Sequence, residues 1–250
     1  MSFLDWLYSS YPNPHIDGAW GFLHIIVLVL CITFIICSSI FLRNRSEKTK
    51  KTVLWILASI IILFELARRV INFIKTNDYS ANNVLRILLP RPGCAISCWL
   101  VILATIINKK YFYNFASIIG VLCGLIFFVY PGTGFNNKLI LFENLYSIVT
   151  HALFFVMAIC FITYRFTDFK YKESWREGIC FAVLFIYVIL EIYVLKIESD
   201  PFYFMPNNDV QEIVGMNYSL FLPLYIVFIA VFTNLFYLIR KPKKTNSDNR

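Results

Sequence analysis

Cys94 and His151 are the side chains of this sequence best suited to covalent chemistry. Cys94 follows Leu89-Pro90-Arg91-Pro92-Gly93. Two prolines this close resist a regular helix, and proline suits the first helical position. A non-helical segment ending at Pro92, with a helix starting there, is therefore expected. Cys94 would then lie in a first helical turn, where the helix dipole and free N–H groups favour a thiolate. Arg91 adds a positive charge, and Ser97 and Cys98 share the face of Cys94 at i+3 and i+4. His151 has Ser147 at i−4 and Asn144 at i−7, one polar stripe along a helix. A thiol and an imidazole together make a nucleophile and its base. Each residue also has a plain alternative: a packing cysteine, or a histidine bonded to a neighbouring helix.

Charged side chains accompany the pair. Glu65 precedes Arg68 and Arg69 by three and four residues, the spacing of same-face ion pairs. Arg68, Arg69 and Arg91 are candidates to hold a phosphate headgroup, whereas a purely structural ion network explains Glu65 and the arginines equally well. His24, Glu65, Asn144, Ser147 and Glu191 are the supporting polar residues. No His/Cys/Asp spacing matches a zinc site, so no metal and no cofactor is expected. Pro131-Gly132-Thr133-Gly134 lacks the lysine of a phosphate loop and reads as a turn. Gly120-x-x-x-Gly124 is the spacing of close helix packing.

The elements that must position these groups are apolar. The chain has 250 residues, 59% hydrophobic and 15% charged; globular proteins carry roughly 25% charged residues. About 20 apolar residues cross a bilayer as a helix. Seven runs reach that length: Trp20–Leu42, Thr52–Ile74, Val84–Ile107, Tyr111–Tyr130, Asn144–Tyr164, Glu177–Lys196 and Ser219–Ile239. The fold expected is all-α, a polytopic membrane protein of seven transmembrane helices. Residues 1–241 form a single membrane domain, and 242–250 a short basic and polar tail expected to be disordered. The first run is too long for a cleaved leader and lacks a small-x-small site. All seven cysteines lie in or at the edges of the runs, which argues against a disulfide framework.

Charge gives the expected orientation. Arg43, Arg45, Lys48, Lys50 and Lys51 follow the first run, Lys109 and Lys110 the third, Arg165, Lys170, Lys172 and Arg176 the fifth. Arg240, Lys241, Lys243, Lys244 and Arg250 follow the seventh, whereas the opposite connections hold only Lys75 and Lys138. Basic loops stay in the cytoplasm, so the N-terminus is expected outside and the C-terminus inside, in the cell membrane. The net charge of +8 is thus explained by topology and anionic headgroups, with membrane lipids as partners and no nucleic acid. At about 1.5 Å per helical residue, this orientation puts His24, Glu65, Arg68, Arg69, Arg91, Cys94, His151 and Glu191 at similar depth in the outer half. Ionisable residues inside a membrane are functional-site candidates by default.

Pro90-x-x-x-Cys94 and His151 resemble elements of the YwaF-like family of bacterial integral membrane proteins. Gly21-Phe22-Leu23-His24, Leu89-Pro90, Tyr111-Phe112 with Gly120 and Pro131, and Pro223-Leu224-Tyr225 are similar to other short elements of that family. The position two residues after Pro90, usually histidine there, is Pro92, and Asp200-Pro201-Phe202-Tyr203-Phe204 departs from the family's pattern. A distantly similar eukaryotic family is a cysteine-dependent acyltransferase of ether phospholipids, which implies Cys94 as nucleophile and His151 as base. Lipid acyl transfer or hydrolysis is the leading functional expectation. The alternatives are a transporter or binding protein for a small anion or lipid, and a non-catalytic structural membrane protein.

Overall fold

The computed structural model describes residues 3–8, 20–76, 79–90, 93–129, 135, 140–196, 206, 211 and 214–239. The 242–250 tail, the Pro131–Gly134 turn and Arg91 with Pro92 lie outside the described residues. Among those described, every regular element is helical. A short helix α1 (Phe3–Tyr8) precedes α2 (Phe22–Leu42), α3 (Glu47–Lys75), α4 (Ala81–Leu88) and α5 (Gly93–Ile107). Then come α6 (Lys110–Val129), α7 (Phe142–Thr163), a 3₁₀ turn (Tyr171–Glu173), α8 (Trp175–Ile189) and α9 (Tyr218–Ile239). Residues Leu190–Val194 continue α8 as one π-helical turn.

Local signals set several of these boundaries. Ser46 caps α3, its Oγ accepting from the Thr49 N–H at 3.2 Å. Ser80 caps α4 through the Asn83 N–H at 3.4 Å. Asn108 takes the left-handed conformation (φ 53°) that ends α5, a conformation asparagine tolerates better than most residues.

Five helical segments are long and apolar enough to cross a bilayer: α2, α6, α7, α9, and α8 with its flanking turns. The α4–α5 pair makes a sixth if counted as one broken span, with its two helices inclined at 61°. The third apolar run is therefore two helices, and the second of them starts at Gly93, one residue past Pro92. Helix α3 is long enough but carries Glu65, Arg68 and Arg69 within its apolar part, so composition alone does not make it a span.

Burial grades outward from the centre. Over their apolar stretches 67% of α6 and 61% of α7 is buried, against 17% for the α8 segment, 11% for α9 and 6% for α2. The core is built by α3, α5, α6 and α7, with Leu54, Ile61, Val101, Ile102, Phe154 and Met157 among its sealed residues. Gly120 and Gly124 bring α6 close to α7. A Cβ on Gly120 would stand 2.7 Å from Ala158 Cβ, and one on Gly124 would overlap Phe155. The small-xxx-small spacing is thus a close helix seam.

The two ends of the bundle differ in chemistry. At one end the basic connections meet: Lys51 lies over Phe166, Arg176 over Tyr111, and Lys110 stands 3.7 Å from Asp168. Toward the other end come the C-terminal part of α3 and the starts of α5 and α7, which carry the polar residues singled out above. These include Glu65, Arg68, Arg69, Cys94 and His151.

Candidate functional site

The start of α5, the start of α7 and the last turns of α3 enclose a cavity of about 460 Å³. Cys94, Ser147, His151, Tyr146 and Arg68 all line it, and Leu7 of α1 closes part of it. Cys94 is the second residue of α5 and half-buried. Its helix begins immediately beyond the proline segment, as the spacing of Pro90 and Pro92 implies. Ser97 donates its hydroxyl back to the Gly93 carbonyl at 2.9 Å, which ties down the first turn.

His151 is held from three sides. Its Nδ1 lies 2.6 Å from the Ser147 carbonyl oxygen. A carbonyl can only accept, so Nδ1 carries a proton, and in the neutral ring Nε2 keeps its lone pair. Phe127 of α6 stacks on the ring at 3.9 Å and 17°, and Phe154 tilts against it at 5.2 Å. The close α6–α7 seam at Gly124 is what lets Phe127 reach it. Among the described residues no hydrogen bond joins His151 to Cys94; the two face a common space.

Glu65 organises the charged part. Fully buried, it pairs with Arg69, accepts a hydrogen bond from the Tyr146 hydroxyl, and lies 3.6 Å from Arg68. Arg69 also donates to the Leu88 carbonyl at 3.2 Å and to the Glu65 carbonyl at 3.1 Å. Its guanidinium covers the Trp99 ring at 5.4 Å. Arg69 is therefore committed to joining α3 to α4 and α5, and does not line the cavity. Arg68, 22% exposed, does line it, with its guanidinium 5.0 Å from the centre of the Tyr146 ring. Arg91 lies outside the described residues.

Three other candidates have different work. His24 accepts from the Trp20 N–H at 2.9 Å and stacks on Phe135 at 4.4 Å, holding the start of α2. Asn144 accepts from the Leu141 N–H at 3.2 Å, at the N-terminus of α7. Glu191 sits fully buried on the π turn, and Tyr187 donates to it at 2.8 Å. The same hydroxyl lies 3.4 Å from the Pro90 carbonyl, so this network reaches the break before α5. None of the three lines the Cys94 cavity.

Tyr146, Asn72, Lys75 and α1 belong to the site but were not singled out from the sequence. Arg68, Asn72 and Lys75 follow one another at i, i+4 and i+7, a polar stripe whose spacing could have revealed it. A second hollow, about 540 Å³, runs between α2, α3 and α7 and is lined by Val27, Leu30, Phe34, Leu57, Ile148 and Ala152. Ile148 and Ala152 are neighbours of His151 along α7, but the groove shares no lining residue with the Cys94 cavity.

Among known protein families, the chain matches the TMEM164 family over residues 19–247, a stretch that includes α2 through α9. No curated protein and no solved structure matches it.

Proposed function

The chain belongs to the TMEM164 family and is a multi-pass membrane protein, and we propose that it is a thiol-dependent lipid acyltransferase or lipid hydrolase. The observation that supports this reading is the single cavity shared by Cys94 and His151, with His151 Nδ1 bonded to the Ser147 carbonyl so that Nε2 is the basic nitrogen of the neutral ring. The resemblance to a eukaryotic cysteine-dependent acyltransferase family, noted above, points to the same pair.

The reaction runs in two halves. His151 Nε2 takes the proton of the Cys94 thiol as Sγ attacks the ester carbonyl of a membrane lipid. The tetrahedral intermediate collapses to a thioester, and His151 protonates the departing alkoxide. An incoming alcohol, or water, then gives its proton to His151 while its oxygen attacks the thioester, and Cys94 leaves as the thiol. Apo geometry does not require thiol and base to touch, because the substrate closes the gap. Arg68 would hold the lipid phosphate, and the apolar groove between α2, α3 and α7 would take the acyl chain, an occupant any bilayer supplies.

Seven spans follow from counting α3 and the α4–α5 pair as membrane helices. Pairing with Arg69 and the Tyr146 hydroxyl offsets much of the cost of carrying Glu65 into hydrocarbon. The N-terminus would then be outside, the C-terminus cytoplasmic, and the cavity open to the outer leaflet. Transport of a small anion would need a polar path to the opposite end. On α7 beyond His151, Phe154, Val156, Met157, Ala158, Cys160 and Phe161 are all buried and apolar, which weighs against one.

The test is acyl transfer between labelled lipids by purified protein in vesicles, with hydroxylamine release of label from the protein as a thioester readout. Cys94→Ala should abolish both signals, and His151→Ala should lower the rate by about 10²–10⁴-fold. Undiminished transfer by Cys94→Ala would exclude the thiol mechanism.

A further inference from the structure

A second polar hollow, of about 420 Å³, adjoins the Cys94 cavity. It is lined by Arg68, Asn72 and Lys75 of α3, by Thr76, and by Asn83 and Arg86 of α4. Arg68, Asn72 and Lys75 line both spaces, so the two are neighbours across a shared wall. Three cations face this bay, and among its described lining residues none is a carboxylate.

The bay is held in shape from its edges. The Asn83 side chain donates to the Thr76 hydroxyl at 2.6 Å, which pins α4 against the end of α3. Arg86 donates to the Lys196 carbonyl at 3.1 Å, which ties α4 to the chain after the π turn. The Glu65 carboxylate is engaged with Arg69 and the Tyr146 hydroxyl, and stands 3.6 Å from Arg68. The buried Nε of Arg68 has no hydrogen-bond partner among the described residues. The Arg68 side chain is nonetheless 22% exposed and lines the bay, and a guanidinium holds phosphate through charge-assisted hydrogen bonds. In the orientation proposed above, Lys75 and Arg86 also stand on the side where basic residues are scarce, so topology does not account for them.

We infer that Arg68, Lys75 and Arg86, with Asn72, Asn83 and Thr76, form a phosphate-binding subsite beside the Cys94/His151 cavity. The role of that phosphate as part of the reacting lipid rests on the acyl-transfer reading; the anion site itself does not. A headgroup phosphate held in the bay would leave its glycerol esters on the Cys94 side of the shared wall. Arginine and lysine grip phosphate with charge-assisted hydrogen bonds, and no base or sugar contact is needed. Arg69, paired with Glu65 and two carbonyls, does not line the bay and takes no part.

Binding to the full-length Cys94→Ala protein in detergent tests this without any thiol chemistry. Calorimetry at fixed ionic strength would use two probes, inorganic phosphate and a short-chain phosphatidylglycerol. Lys75→Gln and Arg86→Gln should each weaken both about tenfold, the scale of one charge-assisted contact. Lys50→Gln, at the opposite end of the bundle, should change neither. Inorganic phosphate should displace the lipid if the source of the phosphate is a headgroup. Phosphate binding that is sensitive to the variants but does not compete with lipid would overturn the headgroup role and leave a free-phosphate site. Because Arg86 also bonds Lys196, its variant could loosen α4; exposed Lys75→Gln, checked for unchanged helicity, is the deciding variant. Wild-type affinity for both probes in Lys75→Gln would overturn the subsite. Wild-type protein that binds phosphate but transfers no acyl group would count against the catalytic reading alone.

Discussion

Replacing Glu65 with leucine isolates the energetics of the buried charges. Glu65 is fully buried, Arg69 is 7% exposed, and the two pair directly. Without the carboxylate, Arg69 keeps its bonds to the Leu88 and Glu65 carbonyls and the face of Trp99 but has no counter-charge in contact. Breaking a buried pair from one side costs about 3–5 kcal/mol. The retained contacts place Glu65→Leu near the lower bound, about 3 kcal/mol, or roughly a hundredfold in the folding equilibrium. Tyr146 adds to the loss, since its hydroxyl donates to the same carboxylate. Glu65→Leu with Arg69→Met removes both charges, and a pair replaced by apolar residues is often neutral or better. The double variant should therefore recover most of the deficit, with a coupling of about 2–3 kcal/mol. Reversible unfolding in bicelles, read by steric trapping, gives all four corners of the cycle. A Glu65→Leu protein within about 0.5 kcal/mol of wild type, the scale of a bland surface change, would refute the reasoning. So would a double variant as unstable as the single one.

Two further outcomes follow from packing. Gly124→Ala pushes a methyl into Phe155 and should cost about 1–3 kcal/mol by overpacking, measured by the same unfolding assay. The corresponding change at the open site of Gly178, where nothing lies within 4 Å, should be close to neutral. Trp6→Ala removes the 2.7 Å bond from the indole to the Ile140 carbonyl and the edge contact with Phe142. Leu7 should then leave the cavity, and maleimide should label Cys94 several-fold faster. An unchanged labelling rate would mean that α1 does not cover the site.

Depth along a helix is readable from a sequence; rotation about the helix axis is not. The spacing of Glu65 and Arg69 gives their ion pair directly, because residues four apart share a face. Gly120 and Gly124 announce the α6–α7 seam in the same way, and the prolines place the start of α5 within one residue. Similar depth brought Cys94, His151 and Arg68 into one group, and they do line one cavity. His24 and Glu191 share that depth, and Asn144 shares a stripe with His151, yet none of the three lines the cavity. Tyr146 reaches Glu65 from 81 residues away, a contact set by how α7 is rolled against α3. The π turn at Leu190 is likewise a tertiary accommodation, with no local residue that demands it.

The outward fall in burial bears on how the protein meets membranes of different thickness. A bilayer that is too thick or too thin is accommodated by tilting helices, at a fraction of a kcal/mol per ångström. Helices that bury little against the protein tilt most cheaply, and here those are α2, α8 and α9. The α6–α7 pair, locked at Gly120 and Gly124, has no such freedom. Hydrophobic mismatch should therefore be taken up mainly at the periphery, by α2, α8 and α9, rather than by the α6–α7 pair that carries His151.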